Sequence, residues 1–126
     1  MVYITIVEQK SIKDTRKEIE DYKYQKAMDE YLSTPTISDI KINSDWIQEK
    51  SGNYIYITGS VTNLSQSKEI RYFKIEAKFY DSKGNVVDSD WTNGTDLEVG
   101  ESRKFKIMYK YDNEIKNIEL SIKEVK

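Results

Sequence analysis

The stretch RYFKIEAKFYD, Arg71 to Asp81, decides the fold. Phe73, Ile75, Ala77 and Phe79 recur at every second position, with Tyr72, Lys74, Glu76, Lys78 and Tyr80 between them. That is the period of a strand buried on one face, since a helix would space its apolar residues three and four apart. The DSKG immediately after it turns the chain, because Asp81 and Ser82 favour turn starts and Gly84 tolerates a positive φ. NVVDSD then reads as a short return strand.

The same alternation recurs outward in both directions. In YIYITGSVTN, Ile55, Ile57, Gly59 and Val61 fall on one side and Tyr54, Tyr56 and Thr58 on the other. Phe105, Ile107 and Tyr109 alternate with Lys104, Lys106, Met108 and Lys110, and Ile118, Leu120 and Ile122 alternate with Glu119, Ser121 and Lys123. With TISDIKINSDWIQ before them these make about seven short strands, with no helical pattern between, so the fold class is mainly β, an antiparallel sandwich.

A chain of 126 residues can bury one core without staples. Apolar residues make up 37% and charged residues 33%, which is polar for a globular domain but sufficient for a thin core. Twenty basic against twenty-two acidic side chains leave a net charge of -2, so no global field draws the protein to nucleic acid or an anionic membrane. There is no cysteine or histidine, which excludes disulfides, thiolate nucleophiles, Ser/His pairs and zinc sites built on nitrogen and sulfur.

The first 33 residues read differently. The opening MVYITIV is too short for a membrane span and lacks the basic region of a signal peptide, so it is either the tail of a membrane segment or a short edge strand. Ser11 to Leu32 holds good helix formers without Gly or Pro, with Arg16/Glu20, Lys17/Asp21 and Lys26/Glu30 at i,i+4 and Thr34-Pro35 closing the far end. The expected arrangement is a stub and polar helical arm over residues 1–33 and a β domain over residues 36–126.

GSVTN, then FKIEAKFYDSKGNVV, then LEVGESRKF resemble the FxLYD family, immunoglobulin-like β-sandwich domains of bacterial and archaeal extracytoplasmic proteins. The resemblance spans Tyr54 to Ile122 and rests on Gly59, Val61 and Asn63, on Tyr80, Asp81 and Gly84, and on Leu97, Gly100, Glu101 and Phe105. In place of Phe-x-Leu-Tyr-Asp this chain has Ala77-Lys78-Phe79-Tyr80-Asp81, a volume exchange that a sandwich core tolerates. The resemblance implies an immunoglobulin-like sandwich, an extracytoplasmic location and an accessory role without catalytic residues; the N-terminal α-helix expected before the sandwich is read from Ser11 to Leu32 alone.

Three candidate sites need weighing. VVDSDWTNGTD, Val86 to Asp96, offers oxygen ligands in Asp88, Asp90, Asn93 and Asp96. It breaks the EF-hand order and lacks the closing Glu, so it reads as a polar crossover with an Asn93-Gly94 turn and no calcium. Trp91 on that loop is either a partner contact or, the favoured reading, a lid closing the end of the sandwich, while Trp46 belongs to the core. Tyr72, Lys74, Lys78 and Tyr80 would share a face with Lys104, Lys106 and Lys110 if their strands pair. That would be a basic aromatic surface for an anionic polymer, or a solvated face with edge-protecting lysines.

Neither a catalytic carboxylate pair nor a nucleotide-binding motif stands out. The expectation is therefore a non-enzymatic domain with no cofactor and no metal. It would contact a protein or cell-envelope component and no specific nucleic acid, and any membrane tether would lie before Met1. The alternative is a small cytoplasmic inhibitor or adaptor.

Overall fold

The structure, a computed structural model, describes residues 34–126. The apolar stub and the helix expected over Ser11 to Leu32 lie outside the described residues. Among the described residues the one helical segment is a 3-10 turn, Ile37–Asp39. It leads into strands β1 (Ile40–Ile42), β2 (Ile47–Ser51), β3 (Tyr54–Asn63), β4 (Ile70–Tyr80), β5 (Val86–Leu97), β6 (Ser102–Lys110) and β7 (Asn117–Val125).

All pairings are antiparallel and form two sheets. In the first, β3 is central: β1 and β2 lie end to end along one edge and β6 runs along the other, from Tyr54 opposite Lys110 to Thr62 opposite Ser102. In the second, β4 is central, with β5 and β7 on its two sides. The alternation along Arg71–Asp81 is what makes β4 central, because Phe73, Ile75, Ala77 and Phe79 are at most 1% exposed and face the first sheet. Ile57, Val61 and Ile107 meet them from β3 and β6, and the Phe79 ring stacks on Tyr109 with centroids 4.2 Å apart. Each such apolar side chain removed from water stabilises the sandwich by about 1.5–3 kcal/mol before chain entropy is counted.

The DSKG turn forms as expected. Asp81 accepts the backbone N–H groups of Lys83 and Asn85 at 2.9 Å, and Gly84 takes φ 82°. These bonds hold the Asp81 carboxyl below its ordinary range, led by the one from Asn85.

Beyond the turn the chain departs from expectation. The supposed short strand and crossover are one twelve-residue strand, Val86–Leu97, paired with β4 from end to end. The Asn93-Gly94 dipeptide makes no turn. Gly94 faces Phe73, and a Cβ there would lie 2.3 Å from the Phe73 ring, so the glycine makes room for a buried ring across the strand pair. Gly59 does the same on β3, where a Cβ would lie 2.7 Å from the Trp46 Cβ and 2.9 Å from the Phe105 ring. Trp46 is half-buried against the core, as read from the sequence.

Asn63, the last residue of β3, is fully buried and polar. Its amide donates to the carbonyls of Lys68 (2.8 Å) and Leu97 (3.1 Å) and accepts the Ser65 N–H (2.9 Å). Its backbone bonds Gly100 and Glu101. One side chain thus ties the β3–β4 connection to the β5–β6 connection. The Asn63 and LEVGE motifs are structural, because a buried amide must satisfy its donors and acceptor.

Candidate functional site

The sequence-derived surface does not assemble. β4 carries Tyr72, Lys74, Lys78 and Tyr80, and β6 carries Lys104, Lys106 and Lys110, but both edges of β4 are taken by β5 and β7 while β6 pairs with β3 in the other sheet. The two lysine rows therefore lie on opposite outer faces.

On the first sheet Lys104, Lys106 and Lys110 alternate with Met108 beside the outward residues of β3. Tyr56 sits opposite Met108, with the Lys106 ammonium 4.6 Å above its ring, and Tyr54 sits opposite Lys110. The alternation along β3 places Tyr54 and Tyr56 outward from sequence alone. Their neighbourhood with the lysines escapes sequence reasoning because it depends on which strands pair.

The outer face of the second sheet holds the remaining candidates. Trp91 lies on the β5 strand opposite Glu76, and its side chain is 52% exposed, so it does not close the end of the sandwich. An edge strand with one face on the core turns every second side chain to solvent, and the position of residue 91 in that alternation is outward. Lys74 places its ammonium 4.5 Å from the centroid of the Trp91 ring, a cation–π contact that restrains both side chains. Beside them Asn93 donates to the Tyr72 hydroxyl at 3.3 Å, and Lys126 lies 5.7 Å from the Tyr72 ring.

Acids interleave with these cations. The buried Oε1 of Glu76 is held by Lys123 and Lys78 at 3.7 and 3.9 Å, with no hydrogen bond among the described residues. Glu119 and Glu124 face Lys78 and Lys74 from β7. Desolvation and a hydrogen bond with Glu119 raise the Tyr80 phenol above its ordinary pKa. The face is amphipathic and mixed in charge.

The Val86–Asp96 stretch holds no ligand loop. It is a strand in which Asp88 and Asp90 share the inward face opposite Phe79 and Ala77, and among the described residues no three acidic side chains come together to hold a metal. Asp88 instead accepts the Tyr109 hydroxyl, which lowers the Asp88 carboxyl and pushes the Tyr109 phenol up to about 12. A cleft of about 210 Å³ opens between β2 and the start of β7, with Ile55, Ile115, Ile118 and Tyr111 among its lining and the Lys50 ammonium 3.9 Å from the Tyr111 ring centroid. Gln48, Glu49 and Lys116 complete its lining.

No family model matches the chain, and no curated protein matches it either. The fold is similar to the crystal structure of a DUF1425 family member from Shewanella sp. pv-4, with a TM-score of 0.50 and 12% identity over 68% of this chain and 75% of that one. That likeness is one of fold.

Proposed function

We propose that the protein is a non-catalytic interaction domain, an immunoglobulin-like accessory module of the FxLYD kind that works outside the cytoplasm and contacts a protein of the cell envelope. The strand order supports the immunoglobulin-like reading: β3 crosses to β4 in the other sheet, β5 crosses back to β6, and β6 crosses again to β7. That is a Greek-key path between two sheets rather than a succession of hairpins.

The observation that carries the interaction reading is Trp91. A tryptophan half in solvent, fixed on a paired strand and braced by Lys74, gives up little side-chain entropy on binding and offers a large apolar area. Tyr72, Asn93 and Lys78 supply polar contacts around it, and the interleaved acids favour a protein over an anionic polymer.

The test places a photo-crosslinking residue at position 91 in the full chain, expressed in its own host, with the same residue at Lys104 as a control. A discrete adduct from position 91 alone, combined with cleavage of the domain by protease added to intact cells while a cytosolic marker survives, supports the proposal. Equal labelling from both positions removes Trp91 as the contact. Protection from protease in wall-stripped cells moves the protein to the cytoplasm and to the inhibitor or adaptor reading.

A further inference from the structure

On the outer face of the first sheet, strand pairing sets two rows of side chains next to each other. The outward residues of β3 are Tyr54, Tyr56, Thr58, Ser60 and Thr62, and every one of them carries a hydroxyl. Opposite them β6 presents Lys110, Met108, Lys106, Lys104 and Ser102, in that order. At about 3.3 Å per residue the rows run for roughly 26 Å, one of hydroxyls and one mainly of ammonium groups.

These lysines differ from those of the second sheet. There Lys78 and Lys123 share Glu76, and Lys126 pairs with Glu124. Among the described residues Lys104, Lys106 and Lys110 make no ion pair. Two acids stand nearby: Glu49 lies across β3 opposite Tyr56, and Asp45 lines a hollow with Lys104 without pairing with it. Lys41, opposite Thr62 on β1, adds a further cation, so positive charge is in excess on this face.

Edge protection accounts for lysines on β6. It does not account for an uncharged hydroxyl row on β3, which is paired along both of its edges. Part of that row is already ordered: Asn43 donates to Ser60 (2.7 Å) and Thr62 (3.0 Å), and Thr62 shares a hydrogen bond with Ser102 (2.7 Å). Groups held in place before binding lose little freedom when a ligand arrives.

We propose that this strip binds an acidic polysaccharide, a linear chain of sugars bearing carboxylates, laid along β3. The ammonium groups of Lys104, Lys106 and Lys110 meet the carboxylates, and the hydroxyls of β3 exchange hydrogen bonds with those of the sugars. The charges are strung out rather than gathered, about 7 Å between positions 104 and 106 and about 13 Å between 106 and 110, which suits a linear polyanion and not a small ion. A single-stranded nucleic acid fits less well, because it needs rings on which successive bases stack. Here Lys106 takes one face of the Tyr56 ring, and Tyr54 is the more exposed of the two tyrosines. The strip and Trp91 lie on opposite outer faces, so either reading can fail without the other.

Calorimetric titration of the full chain with polygalacturonate tests the proposal, with dextran as the neutral polymer and oligothymidylate as the nucleic acid. Polygalacturonate should bind, dextran should not, and the oligonucleotide should bind more weakly. The affinity should fall about tenfold between about 50 and about 200 mM salt. Lys104→Gln with Lys110→Gln should weaken binding about tenfold, whereas Lys104→Arg with Lys110→Arg should keep it. Lys83→Gln, in the turn between β4 and β5, should leave it unchanged. Thr58→Val keeps the shape and loses the hydroxyl, and should weaken binding about threefold.

The proposal is overturned if polygalacturonate fails to bind at the lower salt, or if dextran binds equally well. Lys83→Gln weakening binding as much as the double glutamine variant would overturn it too. Equal or tighter binding of oligothymidylate would replace the polysaccharide with a nucleic acid. If the double variant fails to fold, Thr58→Val and the salt dependence still decide.

Discussion

Where β5 meets β6, Tyr109 donates to Asp88 and Arg103 binds the carbonyls of Thr95 and Asp96 as well as Glu101, joining the two sheets by polar side chains. Where β7 faces β2, no hydrogen bond among the described residues joins the two strands, and a cleft with Ile55 and Ile118 in its lining lies between them. Both flanks close the same core, but with different residue types on the inward side of an edge strand. Asp88 there demands a partner and finds Tyr109 in the opposite sheet; isoleucine and leucine demand cover and are only partly buried. An edge strand's inward residues thus decide whether a sandwich ends at that strand or can continue beyond it.

The comparison breaks most visibly in the core residues behind each flank. Ile75→Ala, fully buried on β4, should cost about 4 kcal/mol, whereas Leu120→Ala on β7 should cost only about 1–2 kcal/mol because it already touches solvent. Urea unfolding at dilute concentration reads both. Equal costs would mean that the β7 flank is covered in solution. Gly94→Val, on the sealed side, should cost about 3 kcal/mol, since a side chain there collides with the Phe73 ring in a packed core.

Smaller effects probe the seal itself. Arg103→Ala should cost about 1–2 kcal/mol after allowance for its partly exposed position, and should speed amide exchange near Asp96. Tyr109→Phe keeps the stack on Phe79 and loses only the hydroxyl, for about 1 kcal/mol.

That last variant also has a pH signature. Asp88 is lowered, so its share of stability is present above the unfolded carboxyl value and is lost as pH falls through the lower folded one. Tyr109 is raised, so its share is complete below an unfolded value of about 10 and is lost as pH rises through about 12. The plot of stability against pH should therefore be flatter at both ends for Tyr109→Phe than for the natural chain.

Much of the sandwich is legible in its sequence because alternation is a local signal. β3, β4, β6 and β7 each show it, and Asp81 with Gly84 marks the hairpin between β4 and β5. The second half of β5 misleads because Asn93-Gly94 is a turn dipeptide wherever nothing overrides it. The override, a buried Phe73 ring that needs a glycine opposite, lies twenty-one residues away in the chain and leaves no local trace. The lysine surface fails for a related reason. Periodicity tells which side of a strand a residue faces, but not which strand lies beside it, so Lys74 and Lys106 can be turned outward without being placed on opposite faces. Trp91 is misplaced as a consequence of the β5 error, since a tryptophan on a loop can fold back and one on a strand cannot.

Asn63 carries a consequence in time. Its bond to Leu97 closes a span of 34 residues, so it can form only after β4 and β5 have found their places and the chain between has lost its freedom. A topology dominated by such distant partners folds on the order of milliseconds to seconds. The Asn63 amide would then be one of the last things made and one of the first things broken. Replacing it with alanine should leave the folding rate nearly unchanged while the native state comes apart sooner, so that this buried side chain sets how long the folded molecule lasts more than how quickly it arises.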